Sequence, residues 1–237
     1  VTPPLDAVHF PDPPAGKIIA PAAVLDLRGD EVTGLRYPAA AVVVFAGVPG
    51  AGKSTALQRF FGVRADAEAP VAATALVLDS HQARNRLRHR LGRLPYPLWR
   101  PVVHVAHYRA LRTALRTEPG PVALHDCATF GWSRRLITGW ARHGGRPVHM
   151  VLIDVPAEQA RTGQHARGRR VNGLAFLGHC RRWERLMRDL GARDRAAIAG
   201  PELLGAASVV IVDRPALDRL RRFAFHPSPA DGAATGA

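Results

Sequence analysis

Residues 47–54 constrain this chain more than any other segment. They read Gly47-Val48-Pro49-Gly50-Ala51-Gly52-Lys53-Ser54, after an unbroken apolar run (Val42–Ala46) and before a helical pattern that opens Thr55-Ala56-Leu57-Gln58-Arg59-Phe60-Phe61. The spacing G-x-x-x-x-G-K-[ST] between a strand and a helix is a phosphate cradle. Its glycines let backbone N–H groups close on an oxyanion with no side chain in the way, and the helix points its positive end at the same place. Lys53 offers a compact charge to phosphate oxygens, and Ser54 a hydroxyl to Mg²⁺. Lys53 is one of two lysines among 33 basic residues, so a compositional pull toward arginine runs against it. Residues 47–55, with Thr55 closing the set, are expected to bind the phosphates of a nucleoside triphosphate.

A chain of 237 residues suits one domain with a sizeable core. From Ala41 onward a pattern recurs five times: an apolar run, a turn, then a helical stretch. The runs are Val42–Ala46, Ala75–Leu78, Val122–His125, Val148–Ile153 and Ser208–Val212. Such runs suit strands buried on both faces of a parallel sheet, joined by crossover helices. The predicted fold is three-layer α/β with a mainly parallel five-stranded sheet. Residues 1–40 read as a proline-rich extension with a β-hairpin around Gly29-Asp30-Glu31, residues 41–225 as the main domain, and 226–237 as a disordered tail. Trp132, Leu136 and Trp140, and likewise Phe176, Cys180, Trp183, Met187 and Leu190, fall at helical spacing and are expected to face the core.

Four runs close on a carboxylate: Asp79, Asp126, Asp154 and Asp213. Ligands in open α/β sheets sit at the carboxyl ends of the strands. Asp126 gives the third run a loose metal-binding pattern, either holding Mg²⁺ through water or touching a second substrate. Asp154 and Asp213 are expected to be structural.

The formal net charge is +14, from 33 basic and 19 acidic residues. A polyanionic partner and a compositional bias toward arginine both account for the total. Placement separates them. Residues 80–117 hold nine arginines and no acid, whereas residues 1–40 hold five acids and three bases. This favours an anionic acceptor: a nucleotide, a nucleic-acid end or a phosphorylated metabolite. Tyr96, Trp99 and Tyr108 lie among these arginines, able either to stack on a base or to form the apolar face of a small subdomain.

With these motifs, residues 41–225 resemble the P-loop kinase superfamily, and within it the polynucleotide kinases and zeta-toxin-like small kinases, often labelled AAA family ATPases. The resemblance implies ATP and Mg²⁺ as cofactors and strand order 2-3-1-4-5. It implies that Asp79 handles the acceptor hydroxyl, with Arg84 or Arg86 holding the acceptor. It also implies a lid at residues 156–170, whose Arg167 and Arg170 reach the transferring phosphoryl group, with Arg161 and Arg169 near them and Gly163, Gly168 and Gly173 giving mobility. The expected reaction is γ-phosphoryl transfer to a hydroxyl; the rival is an ATPase whose hydrolysis switches nucleic-acid or protein binding.

Two cysteines, Cys127 and Cys180, make no disulfide framework. His104-x-x-His107 lacks further ligands at zinc spacing. With no basic-then-apolar start and no run near 20 apolar residues, a cytoplasmic protein off the membrane is expected. The sequence sets no oligomeric state.

Overall fold

The computed structural model describes residues 16–126, 128–165, 172–191 and 204–226. Its strands are β1 (Lys17–Ile19), β2 (Val24–Asp26), β3 (Val32–Pro38), β4 (Val42–Ala46), β5 (Val71–Ala72), β6 (Leu76–Leu78), β7 (Val122–Asp126), β8 (Val148–Ile153), β9 (Ser208–Val212) and β10 (Arg222–His226). Its helices are α1 (Lys53–Phe61), α2 (Ser80–Leu91), α3 (Tyr96–Thr117), α4 (Gly131–His143), α5 (Ala157–His165), α6 (Gly173–Gly191) and α7 (Arg214–Arg219).

The main sheet has seven strands, in the order β2-β9-β8-β4-β7-β6-β5. All pairs are parallel except β5 with β6. The five anticipated strands fill its interior, and the five-stranded expectation is corrected by one short strand at each edge. Every residue of β4, β8 and β9 is buried. Such strands cannot end a sheet bare, because an apolar edge with unpaired N–H and C=O groups is a template for aggregation. β2 covers the edge of β9 by parallel pairing, continued by Leu27 N–H to Ile211 O at 2.9 Å.

The N-terminal hairpin does not form. The turn itself does: Gly29 is left-handed (φ 80°) and Asp30 N–H bonds Leu27 O. But its two arms part, β2 to the main sheet and β3 to a second sheet of order β1-β3-β10, parallel throughout. A lone two-stranded hairpin is marginal in water, whereas β3 buries Leu35 and Tyr37 in the core. There Phe223 of β10 sits 6.2 Å from Tyr37, 5.3 Å from Phe45 and 4.5 Å from Phe60. The extension is therefore part of the core. His226, expected to open a loose tail, ends β10 beside Pro38, while residues 227–237 lie outside the described residues.

Several arginines serve the fold. Arg28, in the Arg28-Gly29-Asp30 turn, pairs with Asp26 and with Asp154 at 2.9 Å. Arg146 bonds Ala40 O, Glu118 O and Gly120 O, gathering loops at the end of the sheet away from the cradle. Arg59 of α1 holds Leu217 O and Leu220 O of the α7 segment.

On α6 the expected face is inward: Phe176, Cys180, Trp183 and Leu190 are buried, and Met187 packs against them. On α4 the expectation fails for Trp132 and Leu136, while Trp140 packs against the core. Ile137, Ala141, Ser133 and Thr138 make the buried face, while Trp132 is 53% exposed, Leu136 is exposed and Trp140 only half-buried. Trp132 stands in the first turn, where the helix passes the rim of the sheet rather than its face.

His149 of β8 is buried, with Nδ1 2.7 Å from Ser208 Oγ and Nε2 without a hydrogen-bond partner, its ring 4.8 Å from that of Tyr37. Burial pushes its pKa down to about 4. An unfolded histidine, titrating near pH 6.5, takes up its proton first as the pH falls. Stability is therefore expected to be complete above about pH 6.5 and to decline toward pH 4, at up to about 1.4 kcal/mol per pH unit for this group. Thermal melts from pH 7 to 4 check this: His149→Phe should flatten the decline, and an unchanged slope would refute the assignment.

Candidate functional site

The cradle forms at the carboxyl end of β4, the middle strand of the main sheet. Gly50 (φ 92°) and Gly52 (φ 102°) take left-handed backbone that other residues rarely adopt. Gly52 caps α1 without any side-chain hydrogen bond, so no side chain of the cap covers the positive end of the helix. Val48, Ala51, Lys53 and Ser54 are buried, and Thr55 is exposed in the first turn. Lys53 Nζ donates to Gly47 O at 2.8 Å and Val48 O at 2.9 Å, which fixes the ammonium inside the bend. An ammonium carries three donors, so one is left for a phosphate oxygen.

Two further elements press on this loop. α5 lies so close that a Cβ on Gly50 would collide with Ala160 O, and one on Gly163 would sit 2.5 Å from Gly50 O. Gln164 Nε2 adds a bond to Pro49 O at 3.0 Å. Gly163 was expected to lend mobility; instead it lies within the helix and permits close packing. From the other side Arg214 Nη2 donates to Ala51 O at 3.3 Å, with the guanidinium against Gly52. That arginine adds positive charge beside the cradle, and a single arginine after Asp213 gave no sequence signal.

Strand register sets the carboxylates. Asp126 pairs with Ala46, the residue before the loop, and Leu78 pairs with Leu124, which puts Asp79 level with His125. Asp79 is buried and caps α2: Oδ1 accepts from His81 N–H at 2.8 Å, and Gln82 Oε1 accepts from Asp79 N–H at 3.0 Å. Thus the capping role and a place at the sheet's functional edge coincide. His125 Nδ1 stands 3.2 Å from Asp79 Oδ1, close enough for an ion pair but off the line a hydrogen bond needs, so Nδ1 is buried without one. Burial alone would raise the Asp79 pKa, but His125 and then His81 outweigh it and hold the carboxyl well below the usual range. The rings of His81 and His107 lie 6.1 and 6.3 Å from that of His125. Burial lowers the His107 pKa to about 4. Sequence reasoning gave His81 and His125 no role and weighed His107 only as a zinc ligand; the signal for His125 was its place directly before Asp126.

Asp126 Oδ2 accepts from Ser133 Oγ (2.8 Å) and Ala128 N–H (3.0 Å), and Oδ1 faces Tyr108 OH at 3.4 Å. The donor set fits Mg²⁺ in the way phosphate-bound magnesium is usually held, with several waters retained: Ser54 Oγ directly, and Asp126, already hydrogen-bonded, through water. Asp213 caps α7, and Asp154 accepts from Trp183 Nε1 and Arg28, as structural residues do.

Of the acceptor arginines, Arg84 stacks on Tyr96 at 4.6 Å, and Arg86 lines a groove between α2 and α3 with Val102, Val105 and Arg109. Trp99 is buried and Tyr96 packs edge-on against it, so these two form the apolar face of the α2–α3 subdomain. In the lid, Arg161 lies over Phe176 at 5.4 Å; Arg167, Arg169, Arg170 and Gly168 lie outside the described residues, as does Cys127.

A glycine loop at the end of the middle parallel strand, opening a helix through Lys-Ser, defines a P-loop nucleotide-binding domain. The AAA domain family (AAA_33) matches residues 42–195, and the chain belongs to that family. The resemblance to P-loop kinases read from the sequence holds at this level. No curated protein matches. Among solved structures, the chain is similar to one from the PezAT toxin–antitoxin system of Streptococcus pneumoniae (13% identity, 83% of this chain and 82% of that one, TM-score 0.44). It is also similar to shikimate kinase from Acinetobacter baumannii (16%, 75% and 86%, 0.35) and to Mycobacterium tuberculosis APS kinase (21%, 54% and 69%, 0.35). At such scores these likenesses identify no substrate.

The contact between α5 and the loop generates a test. Gly163→Ala sets a methyl against Gly50 O, an overpacking that costs about 1–3 kcal/mol. Lower thermal stability together with weaker binding of a non-hydrolysable ATP analogue is expected in calorimetric titration; unchanged affinity would show that α5 does not shape the cradle.

Proposed function

We propose that this protein is an ATP-dependent kinase that transfers the γ-phosphoryl group to a hydroxyl of an anionic acceptor. The observation carrying this reading is the strand register that sets Asp126 beside the strand leading into the cradle and the buried Asp79 one strand further out, at the same end of the sheet. The acceptor oxygen bonds to the γ-phosphorus while the bond from that phosphorus to the β–γ bridging oxygen breaks, and ADP leaves. The hydroxyl proton passes, late in the step, to the Asp79 carboxylate and from there to water. Because its pKa is depressed, Asp79 is a weak base, which suits a loose transition state in which the hydroxyl keeps its proton until late. Its main work is then to orient the hydroxyl, with His125 beside it to hold the carboxylate. Lys53, the α1 N–H groups and Arg214 neutralise the phosphates, and Arg167 and Arg170 of the lid segment are assigned to the transferring group. Ser54 and Asp126 would hold magnesium, which would supply positive charge to the phosphates.

The reading is tested with γ-labelled ATP offered to pooled metabolites and to 5′-hydroxyl oligonucleotides. Label in an organic product supports it. Label only in inorganic phosphate, with turnover stimulated by a partner, would favour the ATPase switch instead. Lys53→Ala should lose nucleotide-dependent turnover by about 10²–10³-fold or more. Asn caps helices as well as Asp, so Asp79→Asn should fold and bind ATP but lose transfer by about 10²–10⁴-fold. Equal transfer in Asp79→Asn and wild type would remove Asp79 from the chemistry.

A further inference from the structure

Trp132 is a large aromatic ring set in solvent on a helix with a well-formed buried face. It does not stand alone. Its ring centroid is 5.6 Å from that of Tyr108 and 6.3 Å from that of Phe130. Tyr108 OH reaches Asp126 Oδ1, and the Arg182 guanidinium lies over the Phe130 ring at 4.7 Å. The result is an arc of rings drawn from α3, the start of α4 and the loop before it, running from the Asp126 carboxylate to an arginine of α6. A second arginine faces it: Arg100, His104 and Tyr108 recur every fourth residue and so share one side of α3, with Arg100 Nε bonded to His104 Nε2 at 3.3 Å. His179 has its ring 5.3 Å from that of Phe130, and Asp126, at the other end of the arc, pairs with Ala46, the residue before the phosphate loop, so the arc begins beside the cradle.

Resting on the kinase reading above, we propose that this arc is the acceptor site and that it takes a nucleoside phosphate, the base lying on Trp132 and the anionic group between Arg100 and Arg182. Each part answers one feature of such a ligand. Every base has a π-face for an exposed indole. Guanidinium groups pair with phosphate oxygens in a fixed fork. The Asp126 end of the arc places the ligand's ribose hydroxyl beside the carboxylates at the strand ends. A sugar phosphate would use the arginines but leave the aromatic wall bare. This site also replaces Arg84 and Arg86, which α2–α3 packing and its groove already occupy, as the acceptor's anchor.

The test is equilibrium binding, which needs no turnover. The full chain is saturated with AMPPNP to fill the donor site, then titrated calorimetrically with AMP, GMP, CMP, UMP, a 5′-hydroxyl trinucleotide and ribose 5-phosphate. At least one base-bearing ligand should bind more tightly than ribose 5-phosphate; mononucleotide against trinucleotide separates a free nucleotide from a nucleic-acid end. Trp132→Leu should weaken that ligand by about tenfold or more, and Trp132→Phe, which keeps a ring, should restore most of it. Arg182→Gln should weaken base-bearing ligands and ribose 5-phosphate alike. Melting curves check that each variant is folded. The proposal is overturned if no base-bearing ligand binds, if ribose 5-phosphate binds as tightly as the best of them, or if Trp132→Leu changes nothing. Its failure differs from that of the kinase reading. Label transferred to a ringless acceptor keeps the kinase and removes this site, whereas Trp132-dependent binding without transfer does the reverse.

Discussion

The rest of the site is arranged around a helix, α1, that begins at a left-handed glycine with no side-chain cap. Unsatisfied donors at a helix start are costly when buried. An oxyanion at that point would satisfy several at once. Holding that point requires rigidity below it. β4 supplies this as the middle strand of the main sheet, buried along its whole length and paired on both sides. The loop between is shaped by left-handed glycines, a lysine bonded back to its own carbonyls, and two flanking surfaces, α5 and Arg214.

Chemistry then follows from register. Parallel strands that end level deliver their last residues to one line, so Asp79 comes beside His125 and Asp126 although it lies far from them in sequence. At Asp79 the observed helix cap is compatible with the proposed chemical role. A carboxylate that caps a helix is held in place and kept ionised, which is what orienting a hydroxyl demands. The neighbouring histidines strengthen that state, His125 beside the carboxylate and His81 through its charge and its backbone N–H.

Much of this was legible in the sequence because it is local. The phosphate loop is a contiguous motif, and strands buried on both faces betray themselves as apolar runs. The inward face of α6 followed from spacing alone. What stayed hidden depends on pairing at a distance. Nothing in Val24–Asp26 says that it leaves its turn to cover β9, and nothing in Phe223 says that it meets Tyr37. Trp132 misled because helical spacing reports which residues share a face, not whether the helix lies over the sheet at that turn. Gly163 misled in a related way, since a glycine marks either a hinge or a close approach, and only its neighbour, Gly50, decides which.

The small β1-β3-β10 sheet has a consequence for where this molecule can be cut. Its strands come from both ends of the described chain, and with β2 they shield the flank of β9 and the aromatic cluster around Phe45. A fragment trimmed to the stretch between β4 and β9 would retain the phosphate loop and the strand-end carboxylates. It would nevertheless bare an apolar edge and a wall of phenylalanines. The piece that carries the candidate site is therefore smaller than the piece that keeps its apolar edge covered.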